Sequence, residues 1–175
     1  MKKLIILGGN NSRNIEWLKK MESTYKIDYD VLTMHYDSWI DNSSIDFNVE
    51  LVKLQQLVKN MKDYIIIAKS AGSILSMMGI CNKMIMPKAI ILMGLPLKFA
   101  ENNNINLEYM LQKVKQFCSV LIIQQKNDPL GKSSDVRKML SDDIKLKQIN
   151  GNYHWYGKYE EIKMIIDDFI NNEIK

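Results

Sequence analysis

The chain has 175 residues, 46% hydrophobic and 25% charged, as in an ordinary folded domain and unlike a disordered tail, a collagen-like fibre or a coiled coil. A single domain is expected, long enough to bury roughly 70% of the surface of its unfolded chain. Lys and Arg outnumber Asp and Glu 24 to 20, and the net charge of +4 is spread along the chain, too evenly for a nucleic-acid footprint.

The first apolar run, Leu4 to Leu7, follows two lysines as a secretory signal would, but Gly8 and Gly9 end it well short of an h-region. It reads as a buried strand. Further short strand candidates at 29–34, 64–68, 89–93, 120–124 and 145–149, several rich in isoleucine, predict five more strands, and segments of helical period at 14–21, 47–61, 71–80, 107–117, 134–140 and 158–171 predict six helices between and after them. Six β-α units in a row predict an α/β fold of three layers, a parallel sheet covered on both faces. Within the second helix Val49, Val52, Leu54, Leu57, Val58 and Met61 are expected to form the buried stripe. The polar stretches 41–46 and 101–106 read as surface loops, and the twelve methionines as core filler. Cys81 and Cys118 have neither disulfide-framework nor zinc-ligand spacing, which fits a reducing cytoplasm. No apolar run reaches bilayer length, so no membrane is expected as a partner, and the small, evenly spread charge argues against a nucleic acid.

In a parallel sheet, chemistry gathers at the carboxyl ends of the strands. The third strand leads through Ala68-Lys69-Ser70-Ala71-Gly72 into a helix, a small-x-Ser-x-Gly turn that lifts a serine hydroxyl above the sheet. Taken alone, the pentapeptide reads equally well as a simple helix N-cap. Asp128 follows the fifth strand and His154 the sixth, so three residue types of a charge-relay triad stand at three strand ends in the order Ser, Asp, His. Acyl transfer also needs backbone donors for an oxyanion, here the N–H groups of Ala71 and of Asn10 in the first loop. That loop, from Gly8 to Ser12, lacks the spacing of a dinucleotide fingerprint and the lysine of a Walker motif. Gly9, Trp39, Leu95 and Trp155 are expected to border the substrate. Lys69 is expected to be exposed, and His35 to be a loop histidine outside the chemistry.

These motifs together resemble those of small serine hydrolases of the α/β-hydrolase superfamily, over essentially the whole chain. Gly8-Gly9-Asn10 with Trp17 resembles the family's HGx loop, and 68–72 its nucleophile elbow; Asn127-Asp128-Pro129 and 151–154 resemble its acid and histidine loops. Gly8 stands where the family usually has histidine, and Ala68 where it has the first elbow glycine. The resemblance implies a capless member with strand order 2-1-3-4-5-6. It implies a catalytic Ser70, Asp128 and His154 and no metal or organic cofactor. The expected function is cleavage of a small-molecule acyl substrate, an ester, thioester or amide, through an acyl-enzyme. A catalytically silent binding protein and a flavodoxin-like nucleotide binder are the alternatives.

Overall fold

Six strands, β1 (Lys3–Leu7), β2 (Asp30–Met34), β3 (Tyr64–Lys69), β4 (Ala89–Met93), β5 (Ser119–Gln125) and β6 (Lys145–Ile149), pair in parallel in the order β2-β1-β3-β4-β5-β6. The computed structural model describes residues 1–174. Every residue of β3 and β4 is buried, as the apolar runs 64–68 and 89–93 require of central parallel strands and with Lys69 buried beside them, whereas β6 at the sheet edge exposes Lys145 and Lys147.

Among the described residues eight helices follow in chain order: α1 (Asn14–Tyr25), α2 (Ser38–Asp41), α3 (Phe47–Val58), α4 (Ala71–Cys81), α5 (Leu97–Asn102), α6 (Leu107–Val114), α7 (Ser133–Lys138) and α8 (Tyr159–Glu173). They cover both sides of the sheet. Helix α1 packs beside α8, while α3, α4 and α6 lie in a row. Helix α4 is the middle one of that row, and it is apolar nearly all round because sheet and helices enclose it. Among the described residues no helix is long and apolar enough to cross a membrane.

Two readings of the helices change. The buried face of α3 is Glu50, Leu51, Leu54 and Val58, and Val49 and Val52 are about half exposed. At 100° per residue those two valines lie away from Leu54 and Val58. The face they were expected to fill admits Glu50 because its carboxylate is satisfied: Oε1 accepts from the Asp37 N–H at 2.7 Å and Oε2 from Lys53 Nζ at 3.0 Å. Helix α1 runs one turn past the expected end, since Tyr25 continues the buried face of Met21 one turn on. Helices α2 and α5 are too short for any period to reveal them.

Strand order reverses between β1 and β3, and a crevice opens where the loops from such a pair part. Leu7 is level with Ala68, and Lys69 with Met93. The loop after β1, the turn after β3 and the loop after β4 therefore leave the sheet side by side.

Candidate active site

The turn from β3 into α4 is strained at one residue. Ser70 has φ 55° and ψ −119°, a region nearly reserved for glycine that costs a serine roughly 1–3 kcal/mol. The surroundings hold it there: its N–H donates to Met93 O at 2.9 Å, and its carbonyl accepts from the Ser73 N–H at 2.9 Å. Gly72 permits the tight approach of α4 to β1. Its N–H donates to Gly8 O at 3.0 Å, and a Cβ there would stand 2.7 Å from that oxygen and 2.8 Å from Leu7 Cβ.

The loop after β1 is pinned through its carbonyls. Gly8 O also accepts from the Tyr36 hydroxyl at 3.0 Å, Gly9 O accepts from Trp39 Nε1 at 3.2 Å, and Asn10 Oδ1 accepts from the Ile45 N–H at 3.1 Å. Trp39 was expected at the substrate; instead it is buried beneath this loop and stays off the cavity wall. Its indole also accounts for Gly8, where a Cβ would meet Asn14 Cβ at 2.9 Å and the Trp39 ring at 3.3 Å. A histidine does not fit.

Asp128 is buried after β5 and takes three donors. His154 Nδ1 lies 2.8 Å from Oδ2 and 2.9 Å from Oδ1, the Tyr156 hydroxyl donates to Oδ2 at 2.8 Å, and the Leu130 N–H donates to Oδ1 at 2.9 Å. Burial favours the neutral acid, but the bonds from His154, Leu130 and Tyr156 outweigh it and hold the carboxyl below its usual range. The other ring nitrogen of His154, Nε2, is buried without a hydrogen-bond partner. Tyr156 is itself fully buried, and desolvation first, then Asp128, drives its hydroxyl pKa up. Its backbone carbonyl accepts from Trp17 Nε1 at 3.1 Å, which ties the histidine loop to α1.

One open cavity of about 400 Å³ brings these loops together. Gly9, Asn10, Ser70, Ala71, His154 and Trp155 border it, with Pro96, Phe99 and Leu130 as its apolar wall. Leu95, expected on that wall, is fully buried and turned away. Gln124 explains its position, accepting from the Leu95 N–H at 2.8 Å while donating to Gly131 O at 2.7 Å. Lys69 is a further correction: far from exposed, it is buried on the cavity wall. His35 is exposed, and its ring lies tilted at 54° to that of Trp39 with the centroids 5.4 Å apart. Tyr156 and Gln124 were not singled out in the sequence, because no periodicity governs a loop and a lone glutamine at a strand end carries no motif.

No protein-family model matches the sequence, and no curated protein matches it. Solved structures share its fold. Est1E from Butyrivibrio proteoclasticus, solved with ferulic acid bound, superposes with a TM-score of 0.78 at 14% identity, over 99% of this chain and 90% of that one. A structure from work on carboxylesterases of the ammonia-oxidizing thaumarchaeon Nitrososphaera gargenis gives 0.73 at 16% identity, over 97% and 90%. Mouse alpha/beta hydrolase domain-containing protein 10 gives 0.67 at 12% identity, over 97% and 89%. These likenesses establish the α/β-hydrolase fold for this chain.

Proposed function

We propose that this protein is a serine hydrolase that cleaves a small ester, thioester or amide through an acyl-enzyme. The reading rests on one observation: the strained Ser70 turn borders the same cavity as a histidine whose far nitrogen is held by a buried carboxylate and whose near nitrogen is free. Ser70 Oγ attacks the acyl carbon and His154 Nε2 takes its proton, then returns it to the leaving group. Asp128 holds the ring through Nδ1 and stabilises the imidazolium, with Tyr156 and Leu130 keeping the carboxylate charged. The N–H groups of Asn10 and Ala71 receive the oxyanion. Water then repeats the sequence on the acyl-enzyme.

The esterases among the structural neighbours support ester cleavage as the reaction class. A catalytically silent binding protein has no use for strain at Ser70, and the glycine loop lacks both the dinucleotide spacing and the lysine that the nucleotide-binding alternative needs. The proposed setting is the cytoplasm, where Cys81 and Cys118, both free, stay reduced.

A fluorophosphonate probe tests the reading, since only an activated serine reacts rapidly. Labelling is expected on the native protein and absent in Ser70→Ala. An unlabelled native protein, or a labelled Ser70→Ala variant, removes Ser70 from this role.

A further inference from the structure

Lys69 is the last residue of β3, immediately before Ser70, and only 2% of it is exposed. Its ammonium lies 4.7 Å from the Trp155 ring centroid and 5.1 Å from that of Trp17. Aromatic faces attract a cation but do not replace the hydrogen bonds it gives up on leaving water. Among the described residues Lys69 has no salt-bridge partner. The nearby carboxylate of Asp128 is already occupied by three donors. An apolar side chain of similar length fills the space between two indoles without this desolvation, so packing alone does not account for a lysine.

Lys69 borders the cavity, and so does Arg13, which is exposed and likewise has no ion-pair partner among the described residues. No aspartate or glutamate lines it. Burial lowers the Lys69 pKa to about 8, with Asp128 acting in the opposite direction. The side chain is therefore mostly charged at neutral pH.

We infer that the cavity takes an ester bearing a small anionic group, a carboxylate or a phosphate-type anion, which Lys69 and Arg13 bind beside the scissile carbonyl. This rests on the hydrolase reading and names its substrate class. The cavity volume of about 400 Å³ suits the ester of a short dicarboxylic acid. Lys69 selects by charge and Arg13 draws the anion in from the open side.

The test compares mono-p-nitrophenyl glutarate with its neutral methyl ester and with p-nitrophenyl 3-phosphonopropionate, on the native protein, Lys69→Met, Lys69→Gln and Arg13→Gln. The native kcat/KM should favour at least one anionic ester over the neutral one by about tenfold or more. That ratio should fall towards one in both Lys69 variants and partly in Arg13→Gln. The better of the two anions identifies the source of the charge. In parallel, glutarate or inorganic phosphate should raise the Tm of the native protein, and neither should do so in whichever Lys69 variant folds. Hydrolysis with no anion preference and no Tm shift overturns this inference and leaves the hydrolase reading standing. A Lys69-dependent Tm shift without any ester hydrolysis overturns the hydrolase reading and with it the ester, and keeps only the anion-binding role of Lys69.

Discussion

The Tyr156 hydroxyl stands 2.8 Å from Asp128 Oδ2, the oxygen that His154 Nδ1 meets at the same distance. The same hydroxyl accepts from the Gln125 N–H at 2.9 Å. Tyr156→Phe therefore removes one donor from a buried carboxylate and orphans a buried N–H, and should lower stability by about 1–3 kcal/mol in urea unfolding at neutral pH. The Asp128 pKa is depressed below its ordinary 3.8, so its contribution is present above that value and is lost as pH falls through the folded-state pKa. With a donor gone the folded pKa rises, and the acid-unfolding midpoint should move to higher pH. An unchanged midpoint would mean that Tyr156 packs without supporting the charge.

Backbone strain at Ser70 separates two substitutions that both delete the hydroxyl. Alanine keeps the penalty of φ 55°, whereas glycine relieves it. Ser70→Gly should be the more stable by about 1 kcal/mol, with both variants inactive towards esters. Thermal or urea unfolding of the pair decides it, and equal stability argues that the turn is not strained.

Lys69 gives the folded protein an alkaline signature. Its folded pKa of about 8 lies below the ordinary 10.5, so between those values the unfolded chain binds more protons and stability rises with pH. Below about 8 the burial penalty is constant. The stability of the native protein relative to Lys69→Met should therefore be flat from pH 6 to 7.5 and climb above 8. A flat difference up to pH 10 would place the ammonium in water.

The segment between β4 and α6 holds only the short helix α5, which leaves the cavity open. Acetyl and butyryl esters should be turned over faster than long-chain ones, and activity should not jump at the micelle threshold because no lid has to move. A steady rise in kcat/KM from acetyl to dodecanoyl p-nitrophenyl esters would contradict this.

The four inner strands were legible because four or five consecutive apolar residues between glycines or polar turns have few other fates in a chain this size. Ser70, Asp128 and His154, the residues of the proposed triad, were singled out by their order after β3, β5 and β6, a signal carried by topology. Trp39, Leu95 and Lys69 were misjudged for a shared reason. Each lies at or just beyond the carboxyl end of a strand, but its direction is set by a partner far along the chain: Gly9 for Trp39, Gln124 for Leu95, and the Trp17 and Trp155 rings for Lys69. The α3 stripe failed differently, because a glutamate with both oxygens satisfied occupies an apolar face.

The Gln124 amide grips the loops after β4 and β5 at once, through the Leu95 N–H and Gly131 O. Any attempt to graft a cap onto this scaffold between β4 and α5 would pull on Leu95 and, through the Gln124 side chain, on the turn that carries Asp128. Graft sites beyond α5 leave the grip undisturbed, so a larger acyl chamber is better engineered from residues 103–106 than from 94–97.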